Sequence, residues 1–479
     1  MRNVLWICAD DYAPYVCGAY GDPLARTPNL DRLASQGIRF DRAYCACPLS
    51  TPSRMAFLTG RYPRSVGVTL SRASLPMDEI TLGGLLSRAD YETVALGKTH
   101  YYDPLEGEFT RCMDLVEHRS WLAALRERSG RTAAPGEVLG PWMPFASPAS
   151  EWLNAAGLPY APDDEMPDTF FTNAAEKYLD GRPGGPFFLW VGFYVTHSPF
   201  RFPIEFRGRF DPSRFTPPPV GPEDAARIPG VFRDLTDADK RGITASYYTC
   251  VEYMDRNVGR ILDALDRSGL ADETLVVFNS DHGYLLGHHG RFEKHCGFEE
   301  AIRTALLVRL PGVVEPGRST DALVELIDVV PTILDLCGID APASLQGRSL
   351  VPLLTGAADR HRDHIIAEYA DAAEAIVRTD RWKLIYTAGV RRRGDGYELP
   401  LDGPPRPRGP SIRLYDLAAD PGETTDASAR PENAGVVADL IATLVDHARR
   451  TERNPRRLPD TDDPTALLAA ALPPPPFPW

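Results

Sequence analysis

Five short apolar runs, Val4–Cys8, Thr93–Leu96, Pro186–Val195, Leu275–Asn279 and Ala305–Arg309, alternate along this chain with amphipathic stretches such as Leu30–Gln36, Leu82–Ser87 and Tyr247–Ser268. Runs that are apolar on both faces and separated by helical patterns are what a parallel-type sheet requires when helices cover both of its sides. The spacing therefore predicts an α/β fold: a large mixed, mostly parallel sheet sandwiched by helices. In such sheets ligands bind beyond the carboxyl ends of the strands, so the residues just after each run are the first place to look for chemistry.

A chain of 479 residues can bury a large core. The main α/β domain is expected over residues 1–363. It carries an insertion at about 105–167, rich in Pro, Gly and polar residues and without clear periodicity, which reads as a loop near the site mouth where substrate selection would lie. A second Pro-rich connection runs from Phe200 to Pro229. From His364 the pattern changes to short segments (Ala375–Arg378, Trp382–Tyr386, Ile412–Asp416) followed by a helix over Pro431–Arg449, which predicts a small C-terminal antiparallel-sheet subdomain over 364–449. Residues 450–479 read as a Pro-rich tail ending in Phe477 and Trp479, either an arm on a neighbouring subunit or disordered, which makes a homo-oligomer an open expectation.

A net charge of −14 argues against a nucleic-acid binder, because affinity for a phosphate backbone needs a basic face. The clusters Arg391-Arg392-Arg393 and Arg449 to Arg457 are local exceptions that read as solvated charge runs. No stretch approaches the roughly 18 apolar residues of a membrane span, and the first run ends in carboxylates, as a strand does and a signal peptide does not. A cytoplasmic protein with no membrane partner is expected. The eight cysteines are scattered, unlike a disulfide framework, and Cys45-Ala46-Cys47 is too tight for zinc-ligand spacing.

Carboxylates collect after two of the runs: Asp10-Asp11 after the first and Asp281-His282-Gly283 after the fourth. If those strands are neighbours, three like charges meet at one sheet edge, a costly arrangement that a divalent cation resolves. Oxygen-rich coordination suits calcium, magnesium or manganese, and the imidazole moves the balance somewhat towards manganese or another borderline metal. Taken singly, each motif could equally be a capped turn. Between them in sequence lies Ser50-Thr51-Pro52-Ser53-Arg54-Met55-Ala56-Phe57-Leu58-Thr59-Gly60. It reads as a short buried helix with Ser50 or Thr51 as N-cap, Pro52 as first helical residue and Gly60 as stop. The guanidinium of Arg54, one turn after Ser50 at a helix N-terminus, would form an oxyanion clamp.

Ser50, Pro52, Ser53, Arg54 and Leu58-Thr59-Gly60 together resemble the signature of the sulfatase family, in the alkaline phosphatase superfamily. The resemblance implies an alkaline phosphatase-like fold and metal ligands at Asp10, Asp11, Asp281, His282 and the residue derived from Ser50. Gly97-Lys98-Thr99-His100 resembles the family's Gly-Lys-any-His and implies Lys98 and His100 as ligands of the modified residue and the transferred group. Thr196-His197-Ser198-Pro199 implies His197 as sulfate-binding or proton-donating, and Phe292-Glu293-Lys294-His295 implies Lys294 on a substrate oxygen. The neighbouring His288, His289 and His295 receive no role.

In the family the signature Cys or Ser is oxidised to formylglycine, whose hydrate attacks sulfur through one hydroxyl, forms a covalent sulfo-enzyme intermediate and expels sulfate through the other. The resemblance thus implies a sulfuric ester hydrolase acting on a small-molecule sulfate ester, with one divalent ion (calcium or manganese ahead of magnesium), a formylglycine at Ser50 and a maturase that accepts serine. Arg54, Lys98 and Lys294 would offset charge on the sulfate oxygens while His197 or His100 protonates the leaving group. An unmodified Ser50 could instead serve as an alkoxide in phosphoryl transfer, which gives a phosphodiesterase or phosphonate monoester hydrolase as the alternative. Cys47 lacks the required pattern and is set aside as nucleophile. A third reading is a catalytically silent binder of sulfated or phosphorylated ligands.

Overall fold

The computed structural model describes residues 2–100, 108–132, 148–225, 227–370, 373–388 and 410–472. Its main sheet is built, in chain order, from β1 (Asn3–Ala9), β2 (Ile38–Phe40), β4 (Glu92–Gly97), β5 (Arg111–Met113), β6 (Phe187–Gly192), β7 (Thr274–Ser280), β9 (Leu306–Arg309) and β10 (Arg318–Thr320). The short β3 (Ala43–Tyr44), β8 (Arg303–Thr304) and β11 (Val324–Glu325) form a separate three-stranded sheet in the order β11-β3-β8. The main sheet has eight strands in the order β10-β2-β9-β7-β1-β6-β4-β5, and β9 alone runs against its neighbours. This is the expected mixed, mostly parallel sheet.

Alternation within β1 explains why it reads as one apolar run. Leu5, Ile7 and Ala9 enter a core shared with the helices Pro167–Asp180 and Asp237–Ser268. Val4, Trp6 and Cys8 enter the opposite core with Met55, Phe57 and Leu58 of the helix Ser50–Thr59 and with Val330 and Ile333 of the helix Val329–Cys337. Both faces are covered, so neither set of side chains is polar. The 32-residue helix Asp237–Ser268 opens with a capping box from Thr236 and Asp239 and stops at Gly269 in the left-handed conformation (φ 77°).

Registration aligns the carboxyl ends. Cys8 pairs with both Gly192 of β6 and Asn279 of β7, and Gly97 of β4 pairs with Gly192. Gly97 has φ +82°, and a Cβ there would lie 2.1 Å from the Gly192 carbonyl oxygen, so β4 and β6 converge where only glycine fits. The residues Asp10, Lys98, Phe193 and Asp281 thus leave the sheet side by side.

The C-terminal part is an antiparallel sheet of β12 (His364–Tyr369), β13 (Glu374–Thr379), β14 (Trp382–Thr387) and β15 (Ser411–Asp416), in that order. The helix Ala434–Thr451 packs on it through Leu440, Ile441 and Leu444.

Two expectations need correction. The stretch 105–167 is not irregular throughout: Arg111–Met113 is the edge strand β5, and Leu115–Ser129 is a helix with an Asp114/Glu117 capping box. That helix buries only His118, so it lacks the apolar stripe that would have betrayed it. Nor is 450–479 a tail as far as 472: the helix Pro464–Ala471 turns back on its own subunit, with Leu467, Leu468 and Leu472 buried and the Ala471 carbonyl accepting from Arg64. Residues 101–107, 133–147 and 473–479, which belong to the insertion and tail expectations, and Arg391-Arg392-Arg393 lie outside the described residues. In the other arginine cluster, Arg453 pairs with Asp78 and Glu79 and Arg457 with Glu452 rather than with solvent alone.

Candidate active site

The turn after β1 carries Asp10 and Asp11, the latter at φ 59°. That uncommon backbone is held from three sides: Thr196 donates its N–H to the Asp10 carbonyl (2.7 Å), the Thr196 hydroxyl reaches the Asp11 carbonyl (3.1 Å), and the Tyr247 hydroxyl donates to the same carbonyl (2.7 Å). From β7, Asp281 accepts from the Asp11 N–H (3.1 Å) and the His282 N–H (3.1 Å) through one oxygen. The ligand atoms of Asp10, Asp11, Asp281 and His282 all lie within 4.8 Å of one another, and all four residues are buried.

Ser50 begins the helix Ser50–Thr59, with Leu49 as N-cap in extended conformation and without a capping side chain. The serine therefore does not cap. Its hydroxyl donates to Asp10 Oδ1 (3.3 Å) and lies 3.0 Å from His282 Nε2, in contact with the carboxylate cluster. The sequence expectation of an N-cap at Ser50 or Thr51 with Pro52 as first helical residue is shifted by one to two positions, because the Ser50 side chain is drawn to the site.

Three cations surround the acids. Lys98 Nζ donates to Asp10 Oδ2, and Lys294 Nζ donates to both oxygens of Asp11 (2.6 and 2.8 Å). Arg54 has no exposed surface; it donates from Nε to Asp281 Oδ2 (3.0 Å), from Nη1 to the Lys98 carbonyl (2.9 Å) and from Nη2 to the Ala9 carbonyl (3.4 Å). The guanidinium expected as an oxyanion clamp is instead the base plate of the site, because the carbonyls at the converging ends of β1 and β4 and the Asp281 carboxylate fall within its reach.

Electrostatics follow from burial and these contacts. Burial works against ionising Asp10, yet Lys98 holds its carboxyl well below the usual range. Burial raises Asp11 despite Lys294, and lowers Lys98 despite Asp10. Burial and then Lys98 keep His100 well below its ordinary value, and burial with Lys294 pushes His197 down to about 3. His282 is lowered by burial and stays neutral; its Nδ1 faces the Gly283 carbonyl (3.0 Å), which can only accept, so Nδ1 carries the hydrogen and the Nε2 lone pair faces the acids.

That donor set fits a divalent cation. Three carboxylates and a neutral imidazole aimed by a backbone carbonyl converge on one point, the pattern by which outer hydrogen bonds orient metal ligands. Asp10, Asp11, Asp281, His282 and Ser50 would hold the ion.

All ten sequence-derived site residues converge on this edge. Asp10, Asp11, Ser50, Arg54, Lys98, Lys294, Asp281 and His282 are joined directly; His197 Nε2 stands 3.9 Å from Asp11 Oδ2, and His100 Nδ1 lies 3.4 Å from the Thr51 hydroxyl. Sequence reasoning assigned no role to the supports: Thr196, Tyr247, Asp168 and the signature residue Ser53, which donates to the Asp281 carbonyl. Thr196, adjacent to His197, and Ser53, within the signature, carried a local signal; Tyr247 and Asp168 carried none.

The model of the sulfatase family matches residues 2–339, and that of the N-sulphoglucosamine sulphohydrolase C-terminal region matches 287–402. The chain belongs to the sulfatase family, hydrolases of the alkaline phosphatase superfamily. Steryl-sulfatase of Mus musculus is 30% identical to it over 527 residues, covering 95% of this chain and 83% of the relative. The multifunctional alkaline phosphatase superfamily protein PehA of Trinickia caryophylli is 27% identical over 526 residues, covering 96% and 98%. The fold is also that of the phosphonate monoester hydrolase of Agrobacterium radiobacter, with a TM-score of 0.77, 24% identity and coverage of 94% and 96%.

Proposed function

We propose that this chain hydrolyses the sulfate ester of a small molecule, with the residue derived from Ser50 as nucleophile. The observation that carries the reading is the Ser50 hydroxyl itself, 3.3 Å from Asp10 and 3.0 Å from His282 at the one edge where three buried acids meet. A serine hydroxyl free of capping duty at that point has reaction with an electrophile as its use. A bound divalent cation would supply Lewis-acid polarisation of a sulfate oxygen and lower the proton affinity of the attacking hydroxyl.

The chain's own residues do the rest. Asp10 accepts the Ser50 hydrogen bond and fixes the direction of the oxygen. Lys98 and Lys294, nearly buried above the acids, offer ammonium donors to the sulfate oxygens, and Arg54 holds Asp281 and Asp10 in place beneath them. His197 has its Nδ1 hydrogen on the Ser198 carbonyl (2.6 Å), so its Nε2 lone pair faces the reaction space; the proton that Nε2 takes up when the anionic ester binds is the one passed to the leaving alcohol. Burial and then Lys294 disfavour the imidazolium in the free protein, and the negative charge of a bound ester opposes both. Oxidation of Ser50 to formylglycine by a serine-accepting maturase would add a second hydroxyl on hydration and let sulfate leave without attack by water on the ester. The eight cysteines form no disulfide and six of them are buried, which supports a reducing compartment such as the cytoplasm as its setting. Among the described residues no helix is long and apolar enough to cross a membrane.

A second reading, hydrolysis of a phosphodiester or phosphonate monoester, is favoured by the encoded serine, a competent alkoxide without modification. One experiment separates them: peptide mass spectrometry across Ser50, with turnover of 4-nitrophenyl sulfate and bis-4-nitrophenyl phosphate, before and after chelation and with calcium or manganese restored. A loss of about two hydrogens at Ser50 with metal-dependent sulfate turnover supports the sulfatase. Unmodified serine with phosphodiester turnover alone supports the second reading, and tight anion binding without turnover of either supports a silent binder.

A further inference from the structure

Asp168 lies in the first turn of the helix Pro167–Asp180, where an acid ordinarily serves its own helix. It reaches instead to the turn that follows β6. Its Oδ1 accepts the N–H of Tyr194 and its Oδ2 the N–H of Val195, both at 2.9 Å, and the residue is 1% exposed. Among the described residues no lysine or arginine forms an ion pair with it. Burial, opposed by the two amide donors, raises its carboxyl to about 7. A buried acid supported only by two amides is an expensive fixture, and two converging N–H groups need a two-oxygen acceptor to satisfy both.

The segment so held feeds the reaction space directly. The Val195 carbonyl accepts the Asp10 N–H (3.2 Å), Thr196 bonds the carbonyls of Asp10 and Asp11, and the His197 N–H closes on the Tyr194 carbonyl (3.1 Å). His197 Nε2 then stands 3.9 Å from Asp11 Oδ2. The Asp168 carboxylate is thus one hydrogen bond removed from the backbone that aims His197.

We propose that Asp168 is a positioning residue: by clamping the Tyr194 and Val195 amides it sets where His197 stands relative to Ser50 and the leaving oxygen. This rests on the reading of His197 as the proton donor to the leaving alcohol. A misaimed donor matters most when the leaving group is poor, because a good leaving group departs without a proton. A general loss of structure lowers all substrates alike.

The test is the ratio of kcat/KM for 4-nitrophenyl sulfate over that for phenyl sulfate, which does not depend on how much of a preparation is folded. Asp168→Asn presents an amide donor to one of the two N–H groups and is expected to raise this ratio about tenfold. His197→Gln should raise it at least as far, and adding Asp168→Asn to His197→Gln should leave it where His197→Gln put it. If Asp168→Asn fails to accumulate, Asp168→Glu, with both acceptors one methylene further out, should shift the ratio in the same direction. An unchanged ratio in the Asp168 variants beside a raised one in His197→Gln overturns the assignment. An unchanged ratio in His197→Gln itself removes the proton-donor reading, and the role of Asp168 falls with it.

Discussion

At the active site the ligand atoms of Asp10, Asp11, Asp281 and His282 lie within 4.8 Å of one another, and at the seam between the main domain and the C-terminal sheet those of His289, Glu300 and Glu423 do the same. At the seam the acids are spoken for by the chain. Lys383, with no exposed surface, lies 2.8 Å from Glu423 and 3.4 Å from Glu299, and His289 contacts Asp224 through Nδ1 (2.7 Å) and Glu300 through Nε2 (3.6 Å) while its ring stacks on Phe298. The Lys383–Glu299 pair crosses from the C-terminal sheet to the main domain, while Lys383–Glu423 lies within the C-terminal part and His289 with Asp224 and Glu300 within the main domain. At the active site the acids are paired as well, with Lys98, Lys294 and Arg54, but they also face one another on turns at the open end of the sheet, with the Ser50 hydroxyl against Asp10, and the two lysines keep 6% and 4% of their surface exposed. Seam charge is arranged as pairs between packed elements, whereas the four ligand residues of the site are gathered as a set that could hold an ion.

The largest expected effect tests the reactive side of this contrast. Ser50→Ala should lower kcat by about 10⁴-fold or more with the melting temperature nearly unchanged, as loss of a nucleophile does. Appreciable residual turnover would remove Ser50 from the chemistry. The mirror experiment is Lys383→Met, which leaves Glu423 and Glu299 buried without their shared cation. Breaking such a pair costs about 3–5 kcal/mol, so denaturant unfolding should show a large loss of stability while kcat per folded molecule stays level. A specific fall in kcat would mean that the seam acts on the site.

Lys294→Met sharpens the active-site half. Removing a donor aimed at developing charge should cost about 10²- to 10³-fold in kcat/KM, with stability lowered less than by Lys383→Met because a cation held by the acids would share the charge of Asp11. Equal effects of the two substitutions on stability and on activity would erase the distinction between seam and site.

The smallest effect is a pH dependence at the seam. Burial lowers the His289 imidazole, but Asp224 and Glu300 more than offset it and hold it at about 9. A folded value above the unfolded one gives stability that is complete below about 6.5 and lost as pH rises through 9. The melting temperature should therefore drop by a few degrees across that window, and Asp224→Asn should flatten the drop. A rise over the same range would place the proton elsewhere.

Much of the site could be read in advance because of one regularity: its reactive residues follow strands. Asp10-Asp11, Lys98, His197 and Asp281-His282 each stand within a few residues of an apolar run, and the parallel sheet brings those ends together. The supports follow no such rule. Asp168 reads as an ordinary helix-terminal acid, and its partners Tyr194 and Val195 lie 26 and 27 residues away; the Tyr247 hydroxyl sits in a long amphipathic helix where an aromatic is the normal core residue. Arg54 was legible as a site residue, but its aim was not, since the carbonyls of Ala9 and Lys98 that capture it belong to other elements. The helices Leu115–Ser129 and Pro464–Ala471 escaped for an opposite reason: one buries too little, and the other is apolar nearly all round, so neither shows the 3.6-residue stripe.

Local pattern was enough to establish the α/β class, the antiparallel C-terminal sheet and which residues gather at the sheet edge, because strand burial, turn chemistry and short motifs are written within a few residues of one another. Tertiary packing alone decided which acid meets which cation, that the Ser50 oxygen turns inward rather than capping its helix, and that Asp168 grips the turn bearing His197. Those outcomes depend on hydrogen bonds a few ångströms long between groups far apart in the chain, and no local pattern encodes such a distance.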